Sequence, residues 1–448
     1  MLKTRKFLLA CMLMVLMVFA AACSSDDANT EGEQDNTNDS TQNEEQAADT
    51  PDPIEIEFWT MQLSPTFDDY INGVIANFEN ENPEIKVKWV DVPWGDMETR
   101  ILTSVASGTA PDVANLNPQF ASQLAELEAL VNMDDMVPAD IRSNYFEGVW
   151  NSNNFGGKTF AIPWYLSSQV TMYNTSIFEE AGLDTDSAPA TFEELYEVAE
   201  VIKAETGKHA FFPALDGSHF LETLVMKGVD LTNEEMTEAT FNTPETVAAF
   251  QYYINLYENA LIPREVLTEG HGTAVDMYQA GQIAILASGP QFLNIVEENA
   301  PDILEVTKSS AQITGKTGKM NTAAMNLVVP VQSEKQEAAV LFSLFMTNAE
   351  SQIDFGKIVP VLPSIETALD DPFFNELPAD PTPIDKARLV SASQLKDSEV
   401  LIPPMPNFEE LRTAMNEALH GAMLGQLTAE EAVNQAYEQW NNILGLGQ

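Results

Sequence analysis

Few residue types capable of covalent or metal chemistry occur in patterns that could perform it. The two cysteines, Cys11 and Cys23, lie near the start of the 448-residue chain, so the long body beyond them can hold no disulfide, thiolate metal site or Cys nucleophile. His209, His219, His271 and His420 are scattered singly, without the i, i+4 spacing of a helical zinc pair, and neither metal nor cofactor is expected. Gly315-Lys316-Thr317 ends like a phosphate-binding loop, but that motif needs a glycine five residues before Gly315, where Ser310 stands. The acidic stretch from Asp35 to Ser40 lacks the glycine and distal glutamate of a calcium loop. Carboxylates are the abundant reactive groups, 69 against 21 lysines and arginines. Two of them could act as acid and base in glycoside cleavage, yet no pattern singles out a pair, which leaves a secreted carbohydrate-active enzyme as a rival reading. The net charge of -48 repels phosphate backbones, so nucleic acid is not an expected partner. The chemistry that remains is non-covalent recognition.

The N-terminus reads as an address. Lys3, Arg5 and Lys6 precede an apolar run from Phe7 to Ala22 that closes on Ala20, Ala21 and Ala22, the pattern of a secretory signal peptide over residues 1–22. The run is shorter than the roughly twenty residues of a membrane-spanning helix. Ala20 to Cys23 resembles a bacterial lipobox, departing from it at Ala20, where a leucine is commoner. The resemblance implies lipidation of Cys23. Diacylglycerol plus an amide-linked acyl chain anchors stably at about 0.8 kcal/mol per buried methylene, which places the body on the outer face of the cytoplasmic membrane. Residues 23–53 carry ten acids, no base and almost no large apolar side chain, the composition of a disordered, extended stalk.

The body alternates strand and helix patterns. Ile54 to Trp59 alternates at period two, and Phe67, Tyr70, Ile71, Val74, Ile75 and Phe78 then recur at helical spacing until Asn82-Pro83. Ile85 to Val90 alternates again, a helix from about Gly95 to Ser107 ends at Gly108, and Asp112-Val113 opens a short buried strand. Ala161 to Pro163, Val170 to Asn174 and Ile283 to Leu286 read as further strands. Thr191 with Glu194, and Thr428 with Glu431, read as capping boxes, and Asn242-Thr243-Pro244 as a helix start. Such alternation implies an α/β fold whose mostly parallel sheet binds ligands beyond the carboxyl ends of its strands.

In order and spacing, these segments resemble the family 1 extracellular solute-binding proteins, the group that includes maltose-binding protein. The resemblance spans about residues 54–448. It rests on Phe58-Trp59-Thr60, Asn82-Pro83, Gly108 to Val113, Ile162-Pro163, Met172-Tyr173-Asn174, Thr191 to Leu195, Gly281 to Ile285, Ser288-Gly289-Pro290 and Gly425 to Ala432. It implies two α/β lobes around a ligand cleft, a periplasmic-binding-protein-like fold, with one lobe at 54–162 plus 320–365 and the other at 166–315 plus 370–448. It further implies a monomer that captures a small solute, mono- or oligosaccharide by preference, through hinge closure and delivers it to the permease subunits of an ABC transporter. A binding protein that reports to a membrane receptor is the second rival.

Neutral sugars present apolar faces and an equator of hydroxyls, which call for aromatic platforms and polar groups that donate and accept. By resemblance, Trp59, Trp164, Tyr165 and Phe220 are the candidate platforms, with Trp164 and Tyr165 at the lobe crossover. Asn117 and Gln119 come just after the Asp112-Val113 strand, and Ser167 just after the Trp164-Tyr165 pair. Asp216 and His219 occupy a loop that contacts ligand in the family, and Gln291 stands where an aromatic residue is common among relatives. Glu409 completes the set, and both it and Trp94 have a plain surface position as the competing reading. A Cys23→Ser variant should leave the membrane fraction, because the acyl chains would be its stable anchor; retention there after leader cleavage would refute the lipoprotein reading.

Overall fold

A computed structural model describes residues 53–215 and 218–445. The leader, Cys23, the stalk and Asp216 lie outside the described residues. Among the described residues, no helix is long and apolar enough to cross a membrane.

The first sheet grows from the opening βαβ unit. The strand Ile54–Met61 pairs in parallel with Ile85–Val92, from Ile54 against Ile85 to Met61 against Val92, and with Val113–Leu116 on its other side. Its alternation sends Ile56 and Phe58 to one face and Trp59 and Met61 to the other, and separate hydrophobic clusters cover the two faces. The helix Asp68–Glu81 buries Tyr70, Ile71, Val74, Ile75 and Phe78 against the first face, each large side chain contributing about 1.5–3 kcal/mol. Asn82 ends that helix, its Nδ2 donating to the Phe78 carbonyl at 2.9 Å. The next helix, Trp94–Ser107, stops at Gly108, whose φ of 72° is left-handed and free of Cβ strain only in glycine.

The sheet continues through Met320–Val328, Ile162–Ser168 and Leu362–Pro363, all joined antiparallel. A second sheet runs in the order Thr307–Ser310, Val170–Asn174, Ile283–Ser288, His209–Phe211, with only the last pair parallel. Both sheets are therefore mixed, in place of the mostly parallel sheet expected. Two strands that follow a passage between lobes, Val170–Asn174 and Met320–Val328, enter their sheets antiparallel to their neighbours, a connection the local strand and helix pattern does not encode. Around the second sheet, core residues from Val170 to Ile313 pack with those of the C-terminal helices Phe408–Met423 and Ala429–Gly445. Trp440 anchors that union, fully buried, with its indole N–H donating to the Leu411 carbonyl at 2.7 Å.

The two sheets meet at a single continuous run. Ser168 still pairs with Thr322 in the first sheet while Val170 already pairs with Ser288 in the second, so Gln169 alone spans the junction. A buried polar cluster holds it: Gln394 Nε2 donates to the Gln169 carbonyl at 2.6 Å and to Ser168 Oγ at 2.9 Å, and Gln394 Oε1 accepts from the Gln312 N–H at 3.0 Å. Gln312 Oε1 in turn accepts from the Asn321 N–H at 2.7 Å. Gln394→Leu keeps the volume but strands these buried groups at about 1–3 kcal/mol each. The ligand-free protein should thus lose at least about 2 kcal/mol in urea unfolding; an unchanged midpoint would show that the cluster holds nothing.

Candidate functional site

A cavity of ≈ 660 Å³ opens where strand ends of both sheets converge. From the first sheet come Asn117 and Gln119, just past the strand Val113–Leu116, and Trp94, just past Ile85–Val92. The junction strand supplies Ser167 and Gln169, and the end of Ile283–Ser288 supplies Ala287, Ser288 and Gly289. His219 and Glu222 project from the helix His219–Met226, and Phe408, Glu409 and Arg412 from the helix Phe408–Met423. A hollow of ≈ 300 Å³ shares Glu98, Gln119, Phe408 and Glu409 with the cavity and prolongs it into a groove.

The polar lining is pre-positioned by its own bonds. Asn117 caps the helix Pro118–Glu126, its Oδ1 accepting from the Phe120 N–H at 2.8 Å, which leaves the amide Nδ2 as a donor. Glu98 accepts from Gln123 Nε2 at 2.9 Å, and Arg412 is paired with Glu409. His271 shares a 2.8 Å hydrogen bond with Ser288 Oγ and lies 4.6 Å from the Phe292 ring. Ser167 Oγ donates to Gln291 Oε1 at 3.2 Å beneath Gly289, where a Cβ would come within 2.5 Å of Ser167 Oγ. Glycine is thus the residue that lets these two strand ends approach. No group of three or more His, Cys, Asp or Glu side chains converges as metal ligands among the described residues.

Of the residues singled out in the sequence, Asn117, Gln119, Ser167, His219 and Glu409 line this cavity, with Gln291 bonded directly behind Ser167. The proposed aromatic platforms lie elsewhere. Trp164 is fully buried in the first lobe, stacked 5.5 Å from Phe355, and Tyr165 packs at 5.1 Å from it. Both belong to the strand Ile162–Ser168 rather than to a loop at the crossover; its pairing with Met320–Val328 shifts register around Trp164, whose ring lies in the core. Phe220 is fully buried between Phe250 and Tyr253. Trp59 is 5% exposed, its indole N–H donating to Glu57 Oε1 and its ring lying 4.3 Å under the Arg100 guanidinium.

The aromatic surface of the cavity comes instead from Trp94, Phe120, Phe292 and Phe408, Trp94 being 46% exposed. The rule that found Asn117, reading the residues just past a strand's carboxyl end, also reaches Trp94. Glu222 and Arg412 stand three residues after His219 and Glu409, hence on the same helix faces.

Two α/β lobes with a polar and aromatic cleft where their strand ends meet are the architecture of a binding protein that encloses a solute. Residues 64–353 match the bacterial extracellular solute-binding protein family, and the chain belongs to it. A provisionally assigned oligosaccharide periplasmic-binding protein from Synechococcus sp. MITs9220 is 36% identical, with 88% of this chain and 99% of that one covered and a TM-score of 0.81. An arabinooligosaccharide-binding protein from Halalkalibacterium halodurans is 24% identical over 335 residues, covering 72% of this chain and 74% of its own. A diacetylchitobiose-binding protein from Streptomyces coelicolor is 23% identical over 320 residues, 69% of this chain and 72% of its own.

Two tryptophans separate site from core by experiment. Trp94→Ala should leave ligand-free melting nearly unchanged and weaken solute binding roughly tenfold to a hundredfold, the loss of about 1.5–3 kcal/mol of ring burial. Trp164→Ala should cost about 3–5 kcal/mol of folding stability with the affinity of the surviving folded protein retained. Titration calorimetry and melting on both variants would expose the reverse assignment.

Proposed function

We propose that this protein captures an oligosaccharide outside the cell, encloses it by closing one lobe on the other, and presents it to the permease of an ABC importer without chemical change. The lobes are assigned to 54–168 with 320–365 and to 170–315 with 370–448, which moves the boundary expected at 162–166 to Gln169, and lipidated Cys23 is the tether to the outer face of the cytoplasmic membrane. The cleft carries the reading. Its exposed Trp94 offers an apolar face, while Asn117, Gln119, Ser167 and Glu222 offer donors and acceptors for ring hydroxyls. Its prolongation past Glu98 and Gln119 gives room for more than one ring, and relatives named for arabinooligosaccharide and diacetylchitobiose point the same way. Closure about the short junction at Gln169 is a hinge motion of two bodies that share few connections.

Small-angle scattering should show a smaller radius of gyration with ligand than without it, and chromatography should return the sugar intact. Turnover of the sugar would put the carbohydrate-active enzyme in place of the carrier, and an unchanged radius with saturating ligand would remove the closure step.

A further inference from the structure

On its second-lobe side the cleft opens into a small annex of ≈ 80 Å³, walled by Phe211, Phe212, Leu215, Tyr253 and Ile313. At about 10–15 Å³ for each water-sized group, it has room for an acetyl group and not for a sugar ring. These five side chains carry no charge: burial pushes the Tyr253 hydroxyl up to about 12, and that hydroxyl lies 3.3 Å from Thr223 Oγ1. Gln169, His219, Glu222, His271 and Ala287 belong to the walls of both annex and cleft, and so form the passage between them.

Two groups in that passage are only half used. Gln169 Oε1 accepts from Gln312 Nε2 at 3.3 Å, while its own Nε2 has no acceptor among the described residues. Glu222 is 8% exposed; its Oε1 accepts from Ser218 Oγ at 2.6 Å, and neither a second donor nor a cation reaches the carboxylate among the described residues. The other carboxylate oxygen, Oε2, is left to accept a donor from a molecule in the cavity. The passage therefore offers one acceptor, one donor and an apolar hole beyond them.

The geometry points to the annex as the subsite for an acylamino group on the captured sugar, with Glu222 accepting its N–H, Gln169 donating to its carbonyl, and its methyl entering the annex. This assignment rests on the reading of the cleft as a sugar site. A ring hydroxyl supplies no apolar end, an ammonium satisfies Glu222 but not the annex, and a uronate carboxylate would meet Glu222 with like charge. The acetamido group alone matches all three features within a few bonds of the ring.

The β-1,4 trimers of glucose, glucosamine and N-acetylglucosamine differ only in the hydroxyl, ammonium or acetamido group at C2, and calorimetric titration of the full chain with each tests the assignment. The acetamido trimer should bind roughly tenfold to a hundredfold more tightly than the glucose trimer, with no gain for the glucosamine trimer. Ile313→Phe, which fills the annex, should bring the ratio of acetamido to glucose affinities to about one, with ligand-free melting reporting the fold; if that variant does not fold, the three-ligand comparison decides by itself. Equal affinities, a preference for the ammonium trimer, or binding of none of the three overturns the annex assignment. Parallel titrations with maltotriose and arabinotriose separate that failure from failure of sugar capture: binding of either leaves the cleft reading standing.

Discussion

Everything in this molecule hangs on the passage of one strand between two sheets with a single residue between pairings. Ser168 and Val170 belong to different lobes, so the lobes cannot be built independently of the torsions at Gln169. That short stretch is buried and polar, and an unpaired backbone carbonyl there would be expensive. Gln394 meets the need from the end of the helix Pro383–Gln394, and Gln312 from the segment leading back to the first sheet. Three passages of chain are thereby bonded to one another rather than to the faces of the lobes. The lobes keep separate apolar cores, and the hydrogen bonds near Gln169 lie where the proposed closure would turn.

The same constraint creates the cleft. Strands in an α/β lobe end in loops that need not be covered, and here the carboxyl ends of Ile85–Val92, Val113–Leu116 and Ile283–Ser288 are turned toward the junction. Helices start at once beyond them, at Pro93-Trp94 and Asn117-Pro118, so side chains at the first helical turns face the gap between lobes. Gln169 serves both purposes, with its backbone tied to Gln394 and its amide facing the cavity. The cavity lining and the junction between the sheets thus share one residue, which would carry occupancy into the proposed closure.

Much of this was legible in the sequence where local physics decides. The helix face Tyr70 to Phe78, the αL glycine at 108 and the Thr191 and Thr428 caps appear where period and capping chemistry put them, with Glu431 Oε2 accepting the Thr428 N–H at 2.8 Å. Polar candidates placed by the strand-end rule fell in the cavity, as Asn117 and Gln119 did. The platforms Trp59, Trp164, Tyr165 and Phe220 did not, because an aromatic side chain is equally at home in a core and on a sugar platform, and composition cannot tell them apart. At Trp164 the deciding fact was strand continuity: pairing with Met320–Val328 carries the strand on to Ser168, and a partner more than 150 residues distant leaves no local trace. At Phe220 it was helix rotation, since His219 and Glu222 take the cleft face and leave Phe220 and Leu221 inward.

The acidity of the chain also bears on what the cleft can admit. With 69 acidic against 21 basic residues, the field outside the molecule discourages anionic solutes over a Debye length of about 8–10 Å in salt. Among the described lining residues, Glu98 and Glu222 add to that field locally, while Arg412, the one fully charged cation, is drawn toward Glu409. An anion would have to cross the outer field and then meet carboxylates inside. A neutral solute feels neither barrier, and its discrimination would have to come from contact, with the rings of Trp94 and Phe292 and with the donors and acceptors that the helix caps and the junction hold in place.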